Sequence, residues 1–185
     1  MFHQVINSVK ARKLKELAQW RQREDELDHL QKEINQFLAE VIQGNISPEE
    51  SREVAALMRM ANNLERFGDE VENIAELGEE LISQDLVLSE DGWRDLNIIS
   101  GEVQKFLGLV IEGLAREDED IMLYAQKLED NINRMREEMR SNYLMRLQSG
   151  ACTVDPGLIL VDMLTAYEKM GDYCYNIAQA VAGIK

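Results

Sequence analysis

The sequence predicts an all-α chain, and three observations carry that prediction. Apolar residues recur at the three- and four-residue spacing of an amphipathic helix along nearly the whole length. The chain has only 2 prolines, and aromatic residues make up 6%, so residues that break helices or favour strands are scarce. The third observation is a repeat: LERFGDEVENIAE at 64–76 and YEKMGDYCYNIAQ at 167–179 share six identities in thirteen positions, 103 residues apart and without a change of spacing.

The helices follow in order. The first runs from about Arg12 to Gln43 with an apolar line of Leu14, Leu17, Leu27, Leu30, Ile34, Phe37 and Val41, and Gly44-Asn45 ends it. The second starts at Ser47, a natural N-cap, with Pro48 at the first helical position and Glu50 closing a capping box. Its line is Val54, Leu57, Ala61, Leu64, Gly68, Val71, Ala75 and Leu81. A third begins near Ser89 and carries Trp93, Leu96, Val103, Phe106, Val110 and Leu114. A fourth spans about Asp118 to Gln148, with Ala125, Leu128, Ile132, Met135 and Met139, and is stopped by Ser149-Gly150. The fifth starts between Thr153 and Asp155 and runs almost to the end.

The repeat orders these helices. RQREDELDHL around Glu24 matches AQKLEDNINRM around Glu129 at an offset of 105, close to the 103 of the first pair. The predicted architecture is therefore two antiparallel three-helix bundles related by a pseudo-twofold repeat, over 1–86 and 87–185. Projected back, the helix at 89–115 should begin before residue 1, and MFHQVINSV at 1–9 matches only its last turns. The first bundle is thus expected to lack most of its first helix, as if excised from a longer chain. An apolar groove on two helices would then need a covering partner.

Net charge is −15. Such a surface repels nucleic acid and anionic membrane, and suits cations or basic partner segments. Cys152 and Cys174 have neither redox nor zinc spacing, which fits a reducing compartment. The apolar stretch FLGLVIEGLA at 106–115 is broken by Glu112 and is too short to span a bilayer. No secretory leader pattern is visible.

The chemistry-bearing pattern is a set of carboxylates. Residues four apart on a helix lie about 40° apart on one face, so Glu65 and Asp69 point together, as do Glu168 and Asp172, and Glu24 and Asp28. Glu72 and Glu76 extend the first stripe, and in the fourth helix Glu129 is followed by Asn133. A single pair of this kind is common on a solvated helix. Recurrence in a duplicated frame, with Gly68 and Gly171 inside it, argues for convergence. Two like charges about 4 Å apart repel by roughly 4 kcal/mol at an effective dielectric of ~20, in a fold stable by only ~5–15 kcal/mol. A bound cation reverses that sign. Oxygen-only donors suit Mg²⁺, Ca²⁺, Mn²⁺ or iron.

Other patterns are weaker. Glu26 and His29 form an ExxH, half of a di-iron oxidase motif, but Arg134 stands where His29 would repeat. No catalytic triad or phosphate-cradling glycine loop is present in the sequence. Tyr167, Tyr173 and Tyr175 read as packing residues, and the 9 methionines as core filler.

The two GD segments resemble the repeated motif of PhoU-like proteins, which runs roughly LERIGDxxxNIAE. REDELDHLQKEI and LEDNINRMREEM resemble the family's other acidic helix in each repeat, so the resemblance covers about Arg12 to the end. RLQSGACTVDPGLILVDML and ISPEESREVAALMRMANNLERFGD resemble one branch most, the PhoU-like domains at the C-terminus of bacterial sodium-dependent phosphate cotransporter proteins. The resemblance implies metal ions (Fe, Mg, Mn, Ca or Zn) held by Glu24, Asp28, Glu65 and Asp69 in the first copy and by Glu129, Glu168 and Asp172 in the second. It implies regulation of phosphate uptake without catalysis. The partner would be the membrane portion of the same protein or a phosphate transporter, with homodimers in isolation. It places the chain in the cytoplasm, tethered to the inner membrane, or alternatively as a free-standing PhoU-type negative regulator of phosphate transport and signalling; the residues alone also allow a purely structural helical interaction module whose acids are merely solvated. Three departures stand out: Glu70 and Tyr173 where the family often has histidine, Asn133 in place of a carboxylate, and Tyr175 and Gln179 opposite Glu72 and Glu76. They make the second site the weaker one.

Overall fold

The computed structural model describes residues 3–17, 19–118 and 120–183, and Met1 and Phe2 of the predicted N-terminal remnant lie outside them. Seven helices follow one another: α1 (His3–Lys10), α2 (Leu14–Leu17), α3 (Gln19–Ile42), α4 (Pro48–Ser83), α5 (Glu90–Arg116), α6 (Met122–Gln148) and α7 (Val154–Val181). Among the described residues there is no strand.

The helix ends obey local chemistry. Ser47 caps α4 by a reciprocal box: its Oγ accepts from Glu50 N–H at 3.2 Å, and Glu50 Oε2 accepts from Ser47 N–H at 2.7 Å. Ser89 Oγ accepts from Gly92 N–H at 3.1 Å at the start of α5. Thr153 precedes α7 and makes no side-chain cap. Gly150, at φ +72°, ends α6 in the left-handed conformation, with Ala151 N–H bonding Arg146 carbonyl at 2.9 Å.

Two boundaries differ from the sequence reading. The first long helix does not begin at Arg12. Arg12 is left-handed, at φ +56°, and closes α1, with Lys13 N–H bonding Ser8 carbonyl at 2.8 Å. Its guanidinium then reaches the end of α4, donating to Ile82 carbonyl at 3.0 Å and pairing with Asp85 at 2.7 Å. Arg12 therefore joins two helix ends, a role that no local periodicity encodes. The second difference is at α6, which starts at Met122 because Asp118 spends its side chain on a turn, accepting from Asp120 N–H at 3.0 Å.

Packing centres on α4 and α7. They run antiparallel: Asn63 pairs with Asn176 and Glu70 with Lys169, so seven residues up one helix go seven down the other. α3 lies on α4, and α6 on α7. α5 packs on both α6 and α7, burying Leu96, Ile99, Val103 and Phe106 completely. On the other side α1 packs on α4 and α5, and α2 on α3 and α4, with Val9 filling the space in front of Gly78 of α4. Among the described residues nothing covers the outer face of α3 as α5 covers α6, and Leu30, Ile34 and Phe37 are exposed.

Candidate functional site

The first carboxylate set sits where α3 lies on α4. Gly68 lets the helices approach: a Cβ there would stand 2.3 Å from Leu27 Cδ2. Leu27 sits between Glu24 and Asp28 in sequence, and Gly68 between Glu65 and Asp69, so the close approach brings the two acidic pairs together. Their electrostatics record it. Partial burial and the charges of Glu72, Asp69 and Asp28 push the Glu24 carboxyl above its ordinary value. Burial, Asp69 and Asp28 raise Glu65, against Arg66 and Lys32. Burial, Glu70 and Asp28 raise Asp69, against Arg66 and a hydrogen bond with Glu24. Charges of this set therefore reach across the two helices, Glu24 with Asp69, and Asp28 with Glu65 and Asp69.

The second set repeats the frame with different chemistry. Gly171 faces Ile132, whose Cδ1 would lie 3.2 Å from an added Cβ. Burial raises Glu129, with the charges of Asp130 and Asp172 adding to it. Burial and Glu168 raise Asp172, against Arg136. Here the chain supplies its own counter-charges. Arg136 Nη2 donates to Glu168 Oε1 at 3.2 Å, and Asn133 Nδ2 donates to Glu129 Oε1 at 2.6 Å.

In the first set Arg66 opposes the charges of Glu65 and Asp69, and Lys32 bonds Asp28 directly. Lys32 Nζ lies 2.5 Å from Asp28 Oδ2, and Asp28, Glu24 and Glu65 all hold its ammonium above its ordinary value, after the direct hydrogen bond. Lys32 and Arg136 are the residues that the sequence reading missed. The available signal was a base placed four residues after Asp28. The remaining donors fit a hard cation in chemistry: oxygen atoms only, Glu24 from α3 and Glu65 and Asp69 from α4, with no base bonded to any of the three among the interactions described. As the side chains stand, no group of three or more His, Cys, Asp or Glu among the described residues is arranged to share a metal ion.

His29 does not join the set. It is exposed and pairs with Glu33 at 3.3 Å, so the di-iron pattern finds no structural counterpart. Tyr167 is fully buried, and Tyr175 donates to Gln126 Oε1 at 2.6 Å. Both are packing groups. An open groove of about 870 Å³, lined by Arg52, Leu57, Met60, Leu114 and Val181 among others, contains none of the predicted carboxylates. No helix among the described residues is long and apolar enough to cross a membrane.

Two helix pairs, α3 with α4 and α6 with α7, thus each carry acids beside a glycine on an all-helical frame. The PhoU domain family model matches residues 1–78 and 96–181, and the chain belongs to that family. It is 25% identical to phosphate-specific transport system accessory protein PhoU homolog 1 of Thermotoga maritima, over 98% of this chain and 75% of that protein. It is 21% identical to the phosphate-specific transport system accessory protein PhoU homolog of Pseudomonas aeruginosa, over 88% of this chain and 67% of that protein. The crystal structure of PhoU from Pseudomonas aeruginosa superposes with a TM-score of 0.90 at 19% identity, over 97% of this chain and 86% of that one, which establishes the shared fold.

Proposed function

We propose that this chain is a non-enzymatic, PhoU-type accessory regulator of phosphate uptake, acting on the cytoplasmic side through protein contacts. The observation that carries the proposal is the family match over both halves of the chain. Both named relatives are accessory proteins of a phosphate-specific transport system. That favours the free-standing regulator over a domain tethered to a sodium-dependent cotransporter, the reading that the branch resemblance had put first. The duplicated frame supports two repeats related by a pseudo-twofold, since Gly68–Leu27 and Gly171–Ile132 recur at offsets of 103 and 105.

Cation binding belongs to this proposal through the first carboxylate set. Glu24, Asp28, Glu65 and Asp69 would hold the ion, which would supply positive charge against their mutual repulsion. The second set is the weaker, because Arg136 and Asn133 already bond two of its carboxylates. The test is expression in a bacterium lacking its own accessory protein, with radiolabelled phosphate uptake as the readout. The wild-type chain should restrain uptake. Uptake unchanged at matched expression overturns the regulatory reading. Metal analysis of wild type against Glu65→Ala/Asp69→Ala, purified without chelator, tests the cation separately.

A further inference from the structure

The two seams that carry acids, α3 on α4 and α6 on α7, can be compared position by position. Adding 105 to a position on α3 gives its counterpart on α6, and adding 103 to a position on α4 gives its counterpart on α7. Glu129 answers to Glu24, Glu168 to Glu65 and Asp172 to Asp69, and Ile132 against Gly171 answers to Leu27 against Gly68. The residues beside the acids differ. Asn133 stands in the place of Asp28, Arg136 in the place of Gln31, and Glu137 in the place of Lys32. The base has thus moved by one position along the helix. One position is about 100° of rotation, and the exposures follow it: the Lys32 side chain is 66% exposed and the Arg136 side chain 28%.

That move brings the base onto the seam. Arg136 Nη2 donates to Glu168 Oε1 of α7 at 3.2 Å, Nη1 pairs with Glu137 of its own helix at 2.9 Å, and Nε is buried. Its charge also opposes the rise of the Asp172 carboxyl. One guanidinium therefore serves both acids of the α7 pair, and it stays charged at any pH the fold survives. Asn133 adds a neutral donor, 2.6 Å from Glu129 Oε1. In the first half the same register is engaged elsewhere. Gln31 Nε2 and Asn35 Nδ2 both donate to Asn62 Oδ1 at 2.7 Å. Lys32 bonds Asp28 of its own helix, and no base is bonded to Glu65 or Asp69 among the interactions described. An exposed lysine is screened by water and salt, and a half-buried guanidinium held by a carboxylate is screened much less.

We propose that Arg136 is the resident cation of the second carboxylate set. Its guanidinium fills the role that an ion from solution fills in the first set. The chain then has one exchangeable cation site, between α3 and α4, and one permanently neutralised copy of it, between α6 and α7. Gain or loss of an ion acts on the α3–α4 seam alone. The ion-counting half of the test rests on the cation reading given above, and the half done in chelator does not.

Exchanging the two registers tests it, by Arg136→Gln and by Gln31→Arg, and Gln31 itself shows that glutamine fits this register. Ions are counted by mass spectrometry after dialysis in Mn²⁺ without chelator. Wild type should hold about one per chain, Arg136→Gln about two, and Arg136→Lys, which keeps the charge, about one. Gln31→Arg should lose the ion of the first set. In chelator, Arg136→Gln should melt about 2–4 °C below wild type, and adding Glu168→Gln/Asp172→Asn should restore most of that loss. Gln31→Arg in chelator should melt above wild type, which decides the matter even if Arg136→Gln fails to fold. Two ions on the wild type, or equal counts on Arg136→Gln and a metal-bearing wild type, overturn the proposal. So does a Gln31→Arg that changes neither ion count nor melting temperature. A wild type with no ion sinks the cation reading of the first set, and the chelator series then judges Arg136 by itself. There, a lower melting temperature rescued by Glu168→Gln/Asp172→Asn upholds Arg136 as the neutralising charge, and an Arg136→Gln that melts with wild type overturns it.

Discussion

Leu27 of α3 occupies the space in front of Gly68 of α4, so that an added Cβ would stand 2.3 Å from Leu27 Cδ2. Ile132 and Gly171 repeat the arrangement between α6 and α7. The atom in the way at Gly68 is the end of a flexible side chain, whereas at Gly157 it is the ring of Tyr143, 2.0 Å from an added Cβ, whose hydroxyl donates to Val154 carbonyl at 3.2 Å. Gly101 and Gly108 face open space inside α5. Gly101→Ala and Gly108→Ala should each raise stability by up to about 1 kcal/mol through helix propensity. Gly157→Ala should lower it by about 1–3 kcal/mol through overpacking. Gly68→Ala should lie between the two. Urea denaturation of the four variants ranks them, and a stabilised Gly157→Ala would contradict the geometry.

The α4–α7 contact carries a half-buried ion pair. Glu70 is 7% exposed, accepts from Lys169 Nζ at 3.0 Å, and accepts from Asn73 at 3.0 Å. Lys169→Met leaves a buried carboxylate short of a partner, and should lower stability by about 1–3 kcal/mol. Adding Glu70→Gln removes the orphaned charge and should recover part of that loss. A double-mutant cycle in which the two effects simply add would show that the pair is uncoupled.

The helix starts differ in how their caps are made, and the differences are measurable. Ser47→Ala breaks a reciprocal box and should cost about 1 kcal/mol, with Ser89→Ala close behind. Thr153→Ala should change little, because Thr153 makes no side-chain cap bond. Equal losses at all three positions would mean that the hydrogen bonds are not what stabilises these ends.

What the sequence made legible was whatever repeats or punctuates locally. Ser47, Pro48, Ser89 and Gly150 mark helix ends because capping and left-handed closure depend on neighbours a few residues away. Glu24, Asp28, Glu65 and Asp69 could be placed on shared faces by period alone, and the two glycines pointed to where those faces meet. The contacts that needed the tertiary arrangement were not legible. Lys32 and Arg136 reach their acids with long side chains. The antiparallel register that joins Glu70 to Lys169 across 99 residues is set by core packing and not by helical period. Arg12 reads as an ordinary helical residue until its bond to the end of α4 is seen.

The carboxylate sets predict an unusual pH response. Glu24, Glu65, Asp69, Glu129 and Asp172 all have folded values raised above the ordinary, chiefly by burial and then by one another's charge. A raised value means that the folded state holds the proton more tightly than the unfolded chain. Their contribution is therefore most favourable below the ordinary carboxylate range, and is lost as pH rises through the folded values. Glu16 and Glu50 run the other way: hydrogen bonds from Lys13 and Ser8, and from Ser47, lower them, so their contribution disappears only as pH falls below the ordinary value. Between those limits the raised groups dominate. In chelator, the melting temperature should rise on moving from pH 7.5 towards pH 5. Glu65→Gln/Asp69→Asn should flatten that rise and melt higher than wild type at pH 7.5. A bound divalent cation acts like the lost protons, so millimolar Mg²⁺, Mn²⁺ or Ca²⁺ at pH 7.5 should raise the melting temperature of wild type more than that of the double variant. Scanning fluorimetry reads all of these. A wild type that melts lower at pH 5 than at pH 7.5 in chelator, with no response to any of the three cations, would mean that Lys32 and the solvent already neutralise the first set.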